Sequence, residues 1–295
     1  MLELSLWVKL ILAVVIAFVI SFVMTPIVKS FAVKIGAMDV PTEKRRVHDH
    51  PIPRMGGLAI FIGFLLSVVL FTDITEQIRG ILIGSIIIVV VGAIDDIISL
   101  KATVKLAGQL LAAIVAVCHG VLIEFFVNPI VFGETAYIGL ELLSIPVTIL
   151  WIVGVTNAVN LIDGLDGLAC GVSSIASLTM FVVALLVSEG NVALILAALM
   201  GSCLGFLPYN FNPAKIFMGD TGSQLLGFVL ATASAIGMFK FYAVVTFLVP
   251  LLALAVPLVD TVFAFCRRIL RGQSPFHPDR GHFHHRLIDM GLSQK

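Results

Sequence analysis

Asparagine and aspartate side chains recur at every third position in the segment NAVNLIDGLDGLACG. Asn157, Asn160, Asp163 and Asp166 hold these positions, and every residue between them is apolar or glycine. Residues three apart on a helix share one face, and carboxylate and carboxamide oxygens suit a hard cation or a polar nucleotide. The glycines permit an interrupted helix or a close backbone approach to a ligand. The segment therefore indicates a ligand site rather than a polar loop.

Two adjacent carboxylates, Asp95 and Asp96, end the apolar run VVGAIDDIISL. Like charges at one helix end repel each other and are costly to bury. The pair indicates either a solvated helix end or a site that handles a cation or a phosphate. Lys101 and Lys105 follow closely, and they would either contact phosphates or anchor the chain at a membrane face.

Asp220 lies in a turn of small residues before another apolar span, in the segment YNFNPAKIFMGDTGSQLLGF. Thr221 or Ser223 is expected to cap the next helix, and the N-terminus of that helix would favour a phosphate. Asp220 would then hold Mg²⁺ against this phosphate. Asn210, Asn212 and Phe217 are candidates for a base pocket, with Phe217 either stacking on the base or packing in the core.

Two segments combine histidine with arginine. His48 and Arg54 lie in DVPTEKRRVHDHPIPRMGG, which is either a topology signal or a contact for a lipid phosphate; its closing PIPRMGG predicts a specific, closely packed turn. Arg280, His282 and His284 lie in PDRGHFHHR near the end of the chain. These histidines could ligate a metal, but the neighbouring arginines favour an anionic sugar-phosphate instead.

The composition indicates that lipid surrounds the elements that carry these residues. Hydrophobic residues make up 59% of the 295 residues and charged residues 12%, against roughly 25% charged in soluble domains. The mean hydropathy is +1.12. The formal net charge is zero, which gives no support for nucleic-acid binding, and the four cysteines form no CxxC pair. We interpret residues 1–295 as one integral membrane domain.

Nine apolar runs approach the roughly 20 residues that a membrane-spanning helix needs. They lie at about 4–27, 56–72, 78–94, 103–121, 142–159, 167–187, 191–208, 221–239 and 242–266. The sequence thus predicts an all-α polytopic membrane protein with about nine spans, and residues 122–141 predict an external hairpin or loop.

The positive charges predict the orientation. Of the 18 lysine and arginine residues, 15 fall on one side of the membrane if the N-terminus is outside, and cytosolic loops carry the excess of positive charge. The predicted cytosolic segments are 29–54, 95–105, 157–166, 209–220 and 267–295. Clustered ionisable groups at one face favour chemistry at that face, whereas a transporter usually places some near the membrane midplane.

The order of these motifs resembles the polyprenyl-phosphate N-acetylhexosamine-1-phosphate transferases. The matching motifs are PIPRMGG, the aspartate pair, NAVNLIDGLDGLA, FMGDTGS and the histidine-rich loop, and they cover nearly the whole chain. The segment SPFHPDRGHFHHR is most similar to the corresponding loop in the bacterial undecaprenyl-phosphate GlcNAc-1-phosphate transferases, one branch of this family. Family members usually continue past this loop with one or two more spanning helices, so the resemblance leaves two expectations for the end at Lys295: a C-terminally truncated sequence, or a chain that lacks the last helices of the family.

The resemblance implies an activity and its cofactor. The expected reaction transfers GlcNAc-1-phosphate from UDP-GlcNAc to undecaprenyl phosphate, releases UMP and starts a surface polymer such as teichoic acid or O-antigen. It would occur in the bacterial inner membrane with Mg²⁺, or Mn²⁺ in its place, and a homodimer is compatible with the family. The alternatives are a phospho-MurNAc-pentapeptide or other UDP-HexNAc donor, a transporter, and a non-catalytic scaffold.

The resemblance also implies residue roles. Asp220 and Asn160 would bind the metal, and Asp95, Asp96 and Asp220 would be catalytic. The remaining candidates are expected to contact the substrates: His48, Arg54, Lys105, Asn157, Asp163, Asp166, Asn210, Phe217, Arg280, His282 and His284.

Overall fold

The structure is a computed structural model that describes residues 4–41, 50–127 and 137–237. Within these ranges the chain forms eight α-helices, one 3₁₀ turn (Glu141–Leu143) and four short strands. The helices are α1 (Leu6–Ile35), α2 (Gly57–Phe71), α3 (Glu76–Ile98), α4 (Ala102–Cys118), α5 (Ser144–Ile162), α6 (Leu168–Leu186), α7 (Gly190–Asn210) and α8 (Gly219–Gly237).

The helices confirm the prediction of an all-α polytopic membrane protein. Five helical segments in the described part of the chain are long and apolar enough to cross a membrane: α1, α3, α5 with its preceding turn, α6 and α7. Helices α2 and α4 are apolar but shorter, and α8 corresponds to the eighth predicted span. The ninth, 242–266, lies outside the described residues. Trp7, Leu150 and Ile175 are among many large apolar side chains on the outer surface, where acyl chains solvate them.

Three helices extend at least three residues past their predicted ends. Helix α3 continues to Ile98, whereas its span was predicted to end at residue 94, so Asp95 and Asp96 lie on its last turn and not in the predicted loop 95–105. Helix α1 continues to Ile35 and ends at Gly36, which has a positive φ of 76°, whereas the first span was predicted to end at residue 27. Helix α5 continues to Ile162, so Asn157 and Asn160 lie on its last turns and not in the predicted loop 157–166. In all three places the helical backbone extends beyond the most apolar stretch, because hydropathy reports the lipid boundary and not the end of the helix.

Both pairs of strands are antiparallel. Strand β3 (Phe125–Val127) pairs with β4 (Tyr137–Gly139), which confirms a hairpin within the predicted external segment 122–141. Strand β1 (Met38–Asp39) pairs with β2 (Ile52–Pro53) at the other end of the helices. This second pair brings the chain after α1 back to the start of α2.

Helix α8 is the central element of the described part of the chain. Every residue from 221 to 236 is buried, and α8 packs against α3 and α5, with further contacts to α2, α6 and α7. Glycines allow the closest approaches. Gly92 of α3 lies against the backbone of Thr221, and Gly57 of α2 lies against the backbone of Gly222.

The PIPRMGG segment is held against the linker between α7 and α8 by backbone hydrogen bonds. Phe217 N–H donates to Pro53 O (2.8 Å), and in return Gly56 N–H donates to Phe217 O (2.9 Å). Gly57 N–H donates to Met218 O (2.9 Å). The closely packed turn predicted for this segment is therefore confirmed, and it fixes the entry into α8.

The contact between Gly57 and Gly222 gives the first prediction. A Cβ atom at position 57 would overlap the backbone of Gly222, and such overpacking costs about 1–3 kcal/mol. Gly57→Ala should therefore lower the thermal unfolding temperature of the purified protein in detergent. Gly154→Ala is the matched control, since a Cβ there meets nothing within 4 Å. Equal unfolding temperatures for the two variants would contradict this packing.

Candidate active site

Four helix termini meet at one end of the bundle, on the side predicted to be cytosolic. Asp95 comes from the last turn of α3, Lys105 from the first turn of α4, Asn160 from the last turn of α5 and Asp220 from the first turn of α8. Residues far apart in the sequence are thereby brought together, and the predicted candidates Asp95, Lys105, Asn160 and Asp220 form one cluster.

Lys105 bridges two carboxylates at the centre of this cluster. Its Nζ lies 2.9 Å from Asp220 Oδ2 and 3.2 Å from Asp95 Oδ2. Asp95 Oδ1 also accepts the N–H of Leu100 at 2.6 Å. The side chain of Asp95 is only 9% exposed, against 27% for Lys105. A buried carboxylate is stable only when it is paired and hydrogen-bonded, so the ammonium group of Lys105 holds the ends of α3, α4 and α8 together.

Asp96 has a different environment from its neighbour. Its Oδ1 accepts the N–H of Asp220 (3.0 Å), and its Oδ2 accepts both the N–H (3.1 Å) and the hydroxyl (2.6 Å) of Thr221. Asp96 of α3 therefore caps the N-terminus of α8, whose unpaired N–H groups and partial positive charge favour an anion. The carboxylate occupies the place at which a phosphate was expected. The expectation that Thr221 or Ser223 caps this helix was wrong, because Thr221 donates to Asp96 and Ser223 donates to Gly219 O.

Gly219 is required by this cap. Its φ is +71°, and a Cβ there would collide with the carboxylate of Asp96. Glycine adopts this backbone conformation without steric cost. The MGDTG turn thus lets Asp96 reach the helix and presents Asp220 beside it.

Asn160 joins Asp220 to the end of α5. Its side chain lies near Asp220, and its Nδ2 donates to Ser223 Oγ at 2.7 Å. In the described residues no group of three His, Cys, Asp or Glu side chains is arranged as a metal site. Mg²⁺ usually takes one or two carboxylates together with waters and substrate phosphates. The oxygens of Asp220 and Asn160 fit such a partial ligand set, with Lys105 as a competing cation at the same carboxylate.

Asp163 lies just beyond α5 and faces the same negative charges. Burial, followed by the charges of Asp220 and Asp96, raises the pKa of the Asp163 carboxyl from 3.8 to about 8. The carboxyl is enclosed by protein atoms although the residue as a whole retains some solvent contact. In the absence of a cation, Asp163 is therefore mostly protonated near neutral pH.

Other predicted residues organise the linker between α7 and α8. Asp166 Oδ2 accepts from Asn212 Nδ2 (3.0 Å) and from Ala214 N–H (2.9 Å). Asn210 is buried and donates from Nδ2 to Ile216 O at 3.1 Å. The carboxylate of Asp166 and the carboxamide of Asn210 are thus engaged in shaping this linker. Phe217 lies within the linker and is half-buried, with its backbone bonded to the PIPRMGG turn.

Arg54 is paired with a residue that the motif analysis missed. Its Nη2 lies 2.6 Å from Asp39 Oδ1, and the side chain of Asp39 is 11% exposed. The pairing of β1 with β2 places Asp39 and Arg54 together at the site end of the helices. No local motif marks Asp39, because its partner lies 15 residues away across the two strands.

Asn157 lies one turn deeper than Asn160 and is bonded to Gln109, and Gln109 is bonded to Gln224. Sequence reasoning missed both glutamines. The available signal was their spacing, since each follows a charged site residue, Lys105 or Asp220, by four positions. His48, Arg280, His282 and His284 lie outside the described residues.

Comparisons with known proteins agree with the motif order. Residues 78–238 match the family model described as glycosyl transferase family 4. The chain is 45% identical to the probable undecaprenyl-phosphate N-acetylglucosaminyl 1-phosphate transferase of Bacillus subtilis, over 98% of this chain and 80% of that protein. It is 40% identical to a decaprenyl-phosphate N-acetylglucosaminephosphotransferase of Mycobacterium tuberculosis (91% and 73%). It is also 33% identical to a phospho-N-acetylmuramoyl-pentapeptide-transferase of Rubrobacter xylanophilus (76% and 73%).

The cap on α8 predicts a loss of stability in the variant Asp96→Ala. Removing the carboxylate leaves the N–H groups of Asp220 and Thr221 without this acceptor, and loss of a capping side chain costs about 0.5–2 kcal/mol. Thermal unfolding in detergent would measure the loss. Thr221→Val removes one of the three hydrogen bonds and should have a smaller effect. An Asp96→Ala protein as stable as the wild type would show that the carboxylate does not support α8.

The raised pKa of Asp163 predicts a dependence of stability on pH. Because the folded state holds the proton more tightly than the unfolded state, the contribution is complete below about pH 4 and is lost as the pH rises to about 8. In a chelating buffer, Asp163→Asn should resemble the wild type at pH 3.5 and unfold at a higher temperature than the wild type at pH 8.5. Parallel decreases in both proteins across this range would refute the assignment.

Proposed function

The chain belongs to glycosyl transferase family 4, and from this membership we propose that it transfers GlcNAc-1-phosphate from UDP-GlcNAc to undecaprenyl phosphate. The family resemblance found in the motifs is thereby confirmed. The relatives from Bacillus and Mycobacterium are named for GlcNAc phosphate transfer to a polyprenyl phosphate. Their chemistry supports the same class of reaction for this multi-pass membrane protein.

The observation that carries the proposal is the cluster of Asp95, Lys105 and Asp220 at the ends of three membrane helices. A lipid phosphate lies at the membrane surface, and a nucleotide sugar arrives from the aqueous phase. A site at helix ends can meet both substrates. In the described helices, no Asp, Glu, Lys or Arg lies near the middle, which gives a transporter less support.

The proposed reaction is an attack by an oxygen of the lipid phosphate on the β-phosphorus of UDP-GlcNAc. A new P–O bond forms, the bond between the β-phosphorus and the bridging oxygen breaks, and UMP leaves with that oxygen. Lys105 supplies a fixed positive charge beside the reacting phosphates, and Arg54, held by Asp39, supplies a second. Fixed charges that need no reorganisation stabilise the charge that develops in phosphoryl transfer.

Mg²⁺ is part of the proposal. Asp220 and Asn160 would hold it, and when bound it would neutralise charge on the pyrophosphate. Asp163, mostly protonated without a cation, would ionise more readily beside one, because an adjacent positive charge lowers the pKa of a carboxyl.

Asp95 is assigned to positioning and not to proton removal. A phosphate monoester has a second pKa of about 6, so the lipid phosphate is largely deprotonated near neutral pH and needs no strong base. The ammonium of Lys105 and the N–H of Leu100 already bind the carboxylate of Asp95. Asp95 therefore orients Lys105 between the carboxylates and the substrate phosphates.

The product would be the first lipid-linked intermediate of a surface polymer, such as teichoic acid or O-antigen, made at the cytosolic face of a bacterial inner membrane. UDP-MurNAc-pentapeptide is the second candidate donor, favoured by the similarity to the Rubrobacter protein. The segment SPFHPDRGHFHHR favours UDP-GlcNAc as the donor.

The first test is UMP release by the purified protein in detergent with UDP-GlcNAc, undecaprenyl phosphate and Mg²⁺. Release should require the lipid and the metal, and Asp220→Ala should lower the rate by about 100-fold or more, because a group that positions charge at the reacting phosphates is lost. Asp73→Ala, at an exposed aspartate far from the site, should leave the rate unchanged.

The results of this assay test the donor, the acceptor and the site separately. Release with UDP-MurNAc-pentapeptide alone would correct the donor and leave the reaction class in place. Release that is independent of the lipid phosphate would overturn the acceptor. Full activity in Asp220→Ala would overturn the assignment of the site.

A further inference from the structure

A layer of carboxamides lies one helical turn deeper in the bundle than the charged site. Gln109 follows Lys105 by four residues on α4, Gln224 follows Asp220 by four on α8, and Asn157 precedes Asn160 by three on α5. Gln109 and Gln224 are 3% and 1% exposed. We name these three side chains, Asn157, Gln109 and Gln224, the amide relay.

Hydrogen bonds connect the relay to Asp220. Gln224 Nε2 donates to Asp220 Oδ2 at 2.9 Å. Gln109 Nε2 donates to Gln224 Oε1 at 3.1 Å, and Asn157 Nδ2 donates to Gln109 Oε1 at 2.6 Å. The relay therefore links α5, α4 and α8 by a continuous chain of bonds that ends on the carboxylate of Asp220.

The charge of Asp220 fixes the direction of every bond in this chain. An ionised carboxylate only accepts hydrogen bonds, so Gln224 must turn its NH₂ group towards Asp220 and its oxygen towards Gln109. Gln109 must then donate to Gln224 and accept from Asn157. Asn157 Nδ2 donates in addition to Val153 O at 2.8 Å, which fixes its own orientation from the other end.

Because Gln109 and Gln224 are buried, only one orientation of each amide group is favourable. A buried amide group without a partner is costly, and a buried polar network has one low-energy arrangement only when each member is satisfied. Reversing any one amide of the relay would bring two acceptors or two donors together. The relay thus restrains Asp220 to one rotamer through the hydrogen bond from Gln224 on the same helix. Lys105 of α4 restrains the same carboxylate through its ion pair.

We propose that Gln224 and Gln109 are positioning residues that set the cation affinity of Asp220. Gln224 and Lys105 both donate to Oδ2, and the other oxygen, Oδ1, is assigned to the divalent cation. Gln224 acts directly on the carboxylate, and Gln109 acts through Gln224. The role in catalysis rests on the proposed function, but the effect on metal binding does not.

The test measures Mn²⁺ binding to the purified protein in detergent, using the electron paramagnetic resonance signal of free Mn²⁺. Gln224→Met and Gln109→Met keep the length of the side chain and remove its hydrogen bonds. Each should raise the Kd for Mn²⁺ by about tenfold or more, as expected for outer partners of a metal ligand. Because Gln109 acts through Gln224, the double variant should bind no more weakly than Gln224→Met alone.

Ser234→Ala is the matched control. It removes a partly buried hydrogen bond of α8, the one from Trp151 Nε1 of α5 at 2.9 Å, and it lies 14 residues from Asp220. Its Kd for Mn²⁺ should equal that of the wild type. An unchanged Kd in Gln109→Met, additive effects in the double variant, or a similar loss in Ser234→Ala would each overturn the proposal, as would a wild-type protein that does not bind Mn²⁺.

A second readout uses UMP release at varied Mg²⁺. The half-maximal Mg²⁺ concentration should rise in both glutamine variants, and the rate at saturating Mg²⁺ should recover most of the wild-type value. A variant whose rate stays low at every Mg²⁺ concentration would contradict a role in cation affinity. If the wild type releases no UMP while the Mn²⁺ shifts are as expected, the proposed function fails and the relay stands.

Discussion

The balance of charge around Lys105 is the interaction on which the rest of the site depends. Asp95 and Asp220 contact it directly, and the charges of Asp96 and Asp220 also act on Asp163. Placing this many carboxylates at the edge of a low-dielectric bundle is unfavourable unless cations and hydrogen-bond donors offset them. One lysine offsets only part of that charge. The remaining negative charge attracts a divalent cation. The need to balance this charge also explains why the C-terminus of α3 and the N-termini of α4 and α8 lie at the same level of the bundle.

Close helix packing makes this charge cluster possible. Asp96 can reach the first turn of α8 only because Gly92, one turn earlier on α3, lies against the backbone of Thr221. Gly57 of α2 likewise lies against the backbone of α8. The PIPRMGG segment, which ends at Gly57, is hydrogen-bonded to Phe217 and Met218. Lipid provides no hydrophobic drive for helices to associate, so small residues and polar contacts carry the association. The residues that bring the helices together and the residues that carry the chemistry are therefore neighbours in the sequence.

The sequence predicts the fold class, and which residues form the site, better than it predicts the partner that each residue contacts. Apolar runs locate the helices, because burial in lipid demands them, and oxygen-bearing residues at their ends indicate where a site lies. Asp95, Lys105, Asn160 and Asp220 could be named in this way. The cap by Asp96 could not, since a capping residue is normally sought immediately before its helix and Asp96 lies 124 residues from Asp220. Asp39 and Gln109 were missed for a related reason, because each acquires its meaning from a partner on another element.

The two adjacent aspartates show how neighbouring identical residues acquire separate roles. Consecutive residues on an α-helix point about 100° apart, given 3.6 residues per turn, so Asp95 and Asp96 cannot face the same partner. Asp95 faces α4 and binds Lys105, whereas Asp96 faces α8 and binds its N-terminal N–H groups. Both contacts end at Asp220, one through the lysine and the other through the backbone. The pair is thus a device that fixes both the charge next to Asp220 and the position of its main chain, and loss of either aspartate would disturb the same residue by a different physical route.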